Sequence, residues 1–216
     1  MKIQALCALG AIAIVASPAS ASLASASLRI TEAMSSSGSG GTADWFEVTN
    51  YGPSAIDLSG YRMDDNSFKF ANSVALLGIT SIAAGETVIF VEGASTDVAG
   101  FQTFWGGLSG VQIGTYSGSG VSFSSGGDGV VLFTAAGAEA TARATFGAAT
   151  TGSSFYFDQS SNVGIVSTVG TIGTQVTFAT TGSPVNVGSL GTAIGIPGPG
   201  ALALLGVAGL AARRRR

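Results

Sequence analysis

Two glutamates, Glu32 and Glu47, are the first residues whose type and placement suggest chemistry, because each falls in a short β-patterned run and the two runs can be neighbours. A carboxylate pair is the minimum equipment of a glycosidase. The ordinary alternative is a strand glutamate on a solvated face, or one paired with a cation such as Arg29 or Arg62. No His, Lys or Tyr constellation accompanies them, so no residue is assigned as catalytic. Asp64-Asp65-Asn66 offers the oxygen ligands that calcium takes, or else a solvated turn whose side chains hydrogen-bond the local backbone. The turn is preferred, an EF-hand spacing is absent, and no metal ligand is assigned. Gly126-Gly127-Asp128-Gly129 likewise reads as a hairpin turn rather than a cation or phosphate loop. Trp45, Trp105, Tyr51 and Tyr61 offer aromatic faces to a sugar, but core or rim packing is the preferred reading in a domain with few aromatic residues.

The residue types that are missing narrow the chemistry further. Histidine is absent, which removes the commonest general base, the Ser-His-Asp arrangement and most zinc or non-haem iron sites. The one cysteine, Cys7, lies in an N-terminal apolar stretch, so the rest of the chain has no disulfide, thiolate zinc site or cysteine nucleophile. No cofactor is expected. The twelve acids lie between Glu32 and Asp158, while residues 22–196 contain only four basic residues, Arg29, Arg62, Lys69 and Arg143, a net −8 for this body. Such a surface repels phosphate backbones, so nucleic acid is not an expected partner.

The elements that must position these residues read as strands. The body is long enough for one domain of roughly 160 residues with a full core. Its β-branched and aromatic runs, punctuated by Gly and Ser, predict an all-β sandwich or barrel. Strands are expected at 28–33 and 45–50, the second with Phe46 and Val48 on one face and Trp45 and Glu47 on the other. A third is expected over 56–63, bent at Gly60, with a short one at 68–70. Residues 87–91 are apolar on both faces and should form the most central strand. A short helix is expected over 97–105 from the spacing of Val98, Phe101 and Trp105. Residues 130–133 and 142–146 read as partner strands, and 175–178 as another.

Both ends of the chain read as addresses. Lys2, the apolar run 5–16, the break at Pro18 and Ala19-Ser20-Ala21 predict a signal peptide over 1–21, cleaved before Ser22 by signal peptidase. Ala24-Ser25-Ala26 is a second possible site, in a Ser/Ala linker over 22–27. At the other end, Pro197-Gly198-Pro199 precedes an apolar run from Ala201 to Ala212 and then Arg213, Arg214, Arg215 and Arg216. Twelve residues of helix reach roughly 18 Å, against a hydrocarbon core of about 30 Å. The guanidinium block resists crossing the bilayer and holds its end on the cytoplasmic side. A short hydrophobic helix with such a block suits a transient handle in the inner membrane rather than a lifetime anchor.

The ordered set Ile30-Thr31-Glu32, Trp45-Phe46-Glu47-Val48-Thr49-Asn50, Ile56-Asp57-Leu58-Ser59-Gly60-Tyr61, Ala84-Gly85-Glu86 and Ser125-Gly126-Gly127-Asp128-Gly129-Val130-Val131-Leu132 resembles the lamin-tail domain. Ser183-Pro184-Val185-Asn186-Val187-Gly188-Ser189 resembles its closing segment. The resemblance implies an immunoglobulin-like β-sandwich over 28–190, with a linker at 191–196. Residues 197–216 resemble the PEP-CTERM sorting signal of Gram-negative bacteria, with Pro-Gly-Pro in place of Pro-Glu-Pro. That resemblance implies export, transient insertion in the inner membrane, removal of the tail by an exosortase-type protease, and display at the cell surface or release. The expectation is a non-enzymatic structural or adhesion module, with exopolysaccharide or other surface proteins as partners. The alternatives are a calcium- or polysaccharide-binding module, and an accessory domain that tethers an extracellular hydrolase.

Overall fold

The computed structural model describes residues 27–38, 41–106, 108–157, 161–169, 178–179 and 186–193. The expected cleavage site at Ala19, Ala21 and Ser22, the Pro197-Gly198-Pro199 motif, the apolar run and Arg213 to Arg216 lie outside them. Among the described residues no helix is long and apolar enough to cross a membrane.

Among the described residues the structure is β apart from one α-helix and a 3-10 turn. Ten strands form one sheet: β1 (Leu28–Met34), β2 (Trp45–Asn50), β4 (Arg62–Asp64), β5 (Val74–Leu77), β7 (Thr87–Glu92), β8 (Ile113–Tyr116), β9 (Asp128–Phe133), β10 (Ala144–Phe146), β11 (Phe155–Tyr156) and β12 (Ile165–Val166). Their order is β10-β9-β4-β5-β8-β7-β2-β1-β11-β12. Two short pairs stand apart, β3 (Ile56–Asp57) with β6 (Ser81–Ile82), and β13 (Phe178–Ala179) with β14 (Val187–Gly188). Neighbouring strands run antiparallel except β7 and β8, which are parallel and joined through helix α1 (Asp97–Trp105). A parallel pair needs such a crossover because its strands must enter from the same end.

The sheet curls until its two edges meet. The Thr145 N–H in β10 donates to the Asn162 carbonyl at 2.8 Å, and the Gly164 N–H donates to the Thr145 carbonyl at 2.7 Å, just ahead of β12. Curling brings the inward residues of all these strands onto one core, from Ile30, Phe46, Val48 and Phe90 to Leu132, Phe146 and Phe155. The ring pairs Phe46–Phe90 and Phe146–Phe155 stack at 5.5 and 5.0 Å. The opposite face of the central strands carries a second core of Met34, Trp45, Ile89 and Val91 beneath Phe101 and Trp105 of α1, with Leu190 alongside. Residues 45–50 alternate between these two cores, as period-two patterning requires. Strand β7 is buried on both faces near the middle of the sheet.

Two expected strands do not form. Residues 56–63 divide into β3 and β4, which belong to different sheets. The Asp57 carboxylate accepts the Ser59 N–H at 2.8 Å, the Tyr61 N–H returns to the Leu58 carbonyl at 2.9 Å, and Gly60 adopts φ 76°. The glycine expected to bend one strand instead makes a turn between two. Residues 68–70 wrap around the Asp64 side chain, which accepts the Ser67 hydroxyl at 2.6 Å and the Lys69 N–H at 2.7 Å. This holds Phe68 at φ 48° and leads into a 3-10 turn at Phe70–Asn72. The 126–129 segment does turn the chain, with the Gly127 N–H donating to the Ser124 carbonyl at 3.2 Å. It connects a loop to β9, so it closes no hairpin. Strands 130–133 and 142–146 pair as expected, Ala144 opposite Val130. Of the run 175–178, only Phe178 is described.

Candidate functional site

Glu32 and Glu47 are brought together. They are register partners in the antiparallel β1–β2 ladder, beside a shift between Ile30 and Glu32 that bulges Thr31 out of the alternation. Both are completely buried. The expectation of a solvated face or an Arg partner is corrected, because residues 186–193 from the far end of the chain lie over them.

The cover is made largely of backbone. The Ser189 N–H donates to both Glu32 carboxylate oxygens at 2.8 and 3.1 Å, and the Ser189 hydroxyl donates at 2.9 Å. The Ser154 hydroxyl donates to Glu32 Oε1 at 2.5 Å. Glu47 receives the Gly191 N–H at 2.6 Å and the Thr31 hydroxyl at 2.7 Å. From Thr31 a file of hydroxyls continues through Thr49 at 3.0 Å to Thr87 at a further 2.9 Å. The bulge at Thr31 is what allows that side chain to turn toward Glu47.

Burial dominates the electrostatics. It raises Glu32 from 4.5 to about 7, against the lowering effect of Ser154 and Ser189. Glu47 is driven well above the usual carboxylate range by burial and then by the charge of Glu32. The pair therefore retains a proton at neutral pH, since two carboxylates side by side in a dry site cannot both ionise cheaply. A buried pair of proton-holding carboxyls is sound acid–base equipment, but this one has no path for a substrate. Its oxygens are occupied by Ser, Thr and backbone N–H groups.

The other sequence candidates resolve as structure. Asp64, Asp65 and Asn66 form the preferred turn: besides the Asp64 bonds, Asp65 accepts the Ser67 N–H at 3.1 Å and the Asn66 N–H donates to Asp128 at 3.0 Å. Trp45 and Trp105 lie in the second core, edge-on to each other at 5.8 Å, with Trp45 also edge-on to Phe101 at 6.0 Å. Tyr61 packs partly buried against the main core, and Tyr51 is half-buried at the end of β2. These four residues form no common platform.

Sequence reasoning missed Thr31, Ser154, Ser189 and Gly191 as partners of the dyad. Ser, Thr and Gly occur throughout this chain, and nothing in their local pattern sets these four apart. It also missed Asn50, which is buried at the end of β2. Its side-chain amide donates to the carbonyls of Ser54, Ile82 and Ala83 at 2.8, 3.1 and 3.1 Å, and its Oδ1 accepts the Gly52 N–H at 2.8 Å.

The family model described as Lamin Tail Domain matches residues 21–148. No curated protein matches the chain. The matched span contains both dyad glutamates, while Ser154, Ser189 and Gly191 lie beyond it.

Proposed function

This chain belongs to the lamin tail domain family, and on that premise we propose that it is an exported, non-enzymatic surface or matrix protein whose immunoglobulin-like β-domain serves as a structural or adhesion module. Residues 1–21 act as a signal peptide. Residues 197–216 act as a sorting tail that enters the inner membrane transiently and is removed by an exosortase-type protease.

The observation that carries this reading is the burial of Glu32 and Glu47 beneath residues 186–193. The residues best suited to catalysis serve instead to clamp the end of the domain, a few residues before the proposed tail. A clamp there lets a protease act on the tail without loosening the fold. Exposed apolar side chains around β12, Val163, Ile165 and Val169, offer surface for adhesive contacts.

The test is the mass of the protein recovered from the surface of the producing cells. A form beginning near Ser22 and ending between Gly195 and Pro199 supports sorting and release. An intact chain carrying Arg213 to Arg216 in the membrane fraction would mean a retained anchor, and unprocessed cytoplasmic protein would sink the export reading.

A further inference from the structure

Residues 186–193 form a strap over Glu32 and Glu47 that is separable from the sheet beneath it. Strand β14 pairs with β13 and lies outside the ten-stranded sheet. The Val187 N–H donates to the Gly152 carbonyl at 2.7 Å, the Ser154 N–H donates to the Val187 carbonyl at 3.0 Å, and Asn186 Oδ1 accepts the Gly38 N–H at 2.8 Å. The remaining polar ties run from Ser189 and Gly191 to the two carboxyls. Gly188 lies so flat on the site that a Cβ there would sit 2.9 Å from Glu32 Oε1, and a Cβ on Gly191, at φ 75°, would sit 2.7 Å from Val111. The hairpin below is held independently of the strap, since β2 pairs with β1 on one side and with β7 on the other.

The strap itself, Asn-Val-Gly-Ser-Leu-Gly-Thr-Ala, carries no ionisable side chain. Around the two glutamates, β1 and β2 contribute Thr31 and Thr49, β7 contributes Thr87, and β11 contributes Ser154 and Tyr156, the register partner of Glu32. Helix α1 turns Phe101 and Trp105 toward this face, and its Asp97 accepts the Ala94 N–H in the first turn. Arg29 of β1 donates to Asn162 at 3.2 Å. The charge acting on Glu47 is that of Glu32, with none of opposite sign to offset it. Glu32 has three donors to support a negative charge, from Ser154 and Ser189, whereas Glu47 has two, from Thr31 and Gly191. Ionising both in a dry site is therefore costly, and water is what relieves the cost. Lifting the strap admits water and leaves both ladders of β2 paired.

We propose that residues 186–193 are a proton-operated strap, docked while the Glu32–Glu47 pair keeps a proton and released from an intact β1–β2 hairpin when both carboxyls ionise. Opening frees protons that the docked state holds, so the open population grows as pH rises, by up to about tenfold per pH unit for each proton released. Local opening of this kind is expected of a segment joined to its domain by few contacts. Release extends the chain between the domain and Pro197 from residues 194–196 to residues 186–196. Any effect of that extension on processing rests on the proposed sorting; the release itself does not.

The test follows amide hydrogen exchange in the full chain by mass spectrometry at about pH 6 and about pH 8, corrected for the intrinsic pH dependence of exchange. Peptides covering 186–193 should lose protection at least about tenfold between the two conditions, while peptides covering β2 and β7 keep theirs. Glu47→Gln should remove most of that loss, and Glu32→Gln combined with Glu47→Gln should remove all of it. Asp57→Asn, an exposed acid elsewhere, should leave the loss unchanged. Equal protection of 186–193 at the two pH values overturns the strap. So does a loss that proceeds in step with β2 and β7, which is unfolding of the whole domain, or one that persists in the double variant. Should the variants fail to fold, the comparison of 186–193 with β2 and β7 in the unmodified chain decides.

Discussion

Glu32 and Glu47 oppose each other across the β1–β2 ladder, and neither exposes any surface to solvent. Their carboxylates are bridged to the end of the domain through Ser189 and Gly191, more than 140 residues away in the chain. The arrangement joins the first hairpin to the last described segment through carboxyl groups whose proton affinity burial raises. It makes the closure of the domain sensitive to pH.

Stability should therefore fall as pH rises from about 4.5 to about 7. Over that window Glu32 holds its proton in the folded protein and has lost it in the unfolded chain. The native state then binds more protons, and each unit of pH costs stability, for a total on the order of 3 kcal/mol from this residue. Asp44, also raised to about 7, acts in the same direction. Urea denaturation at a series of pH values measures the slope. Glu47→Gln, which keeps an oxygen for the Gly191 N–H, should reduce it and stabilise the protein at pH 8 by about 1 kcal/mol.

Removing the proposed tail and removing the clamp should have opposite consequences. A chain ending at residue 196 retains Ser189, Leu190 and Gly191, and its melting temperature should match the full chain. A chain ending at residue 185 leaves Glu32 and Glu47 open to water and strips Leu190 from the second core. Its melting temperature should drop by more than about 5 °C. Equal melting temperatures for the two truncations would show that the clamp contributes nothing.

Asn50 should be among the most sensitive positions in the domain. Its four side-chain hydrogen bonds tie the turn after β2 to residues 82 and 83, and no water can replace it at full burial. Asn50→Ala should cost about 2–4 kcal/mol, since the carbonyls of Ser54, Ile82 and Ala83 lose their donor. Asn50→Asp should be nearly as damaging, because it places acceptors against acceptors. Chemical denaturation of both variants checks this.

The two tryptophans should behave as core residues. Trp45 and Trp105 are buried among Phe101, Ile89 and Val91, so their emission should be blue-shifted and inaccessible to iodide. Soluble oligosaccharides should leave that emission unchanged. Trp45→Ala should destabilise by about 3–5 kcal/mol through the cavity left beneath α1.

Much of the fold is legible in the chain itself. Alternation in 45–50 places Phe46 and Val48 opposite Trp45 and Glu47, the double-sided apolar run 87–91 marks the central strand, and the ordered motifs indicate the lamin tail family. Local turn chemistry was harder to read. Gly60 and Asp57 are compatible with a bent strand or with a turn between strands, and only pairing with β6 and β9 decides between them. The side chain of Asp64 competes for the backbone of 67–69 in a way that strand propensity does not register.

The sequence by itself determined which side chains share a face, and which chemistries are absent for want of His and Cys. It did not determine what covers each face, because period two says nothing about the partner layer. The Glu32–Glu47 face looks solvated when β1 and β2 are considered alone. It is dry because α1 enters through a parallel crossover and residues 186–193 return from the far end of the chain. A carboxyl's proton affinity follows its surroundings, so the change from a surface pair to a buried, proton-holding clamp was decided only by the tertiary structure.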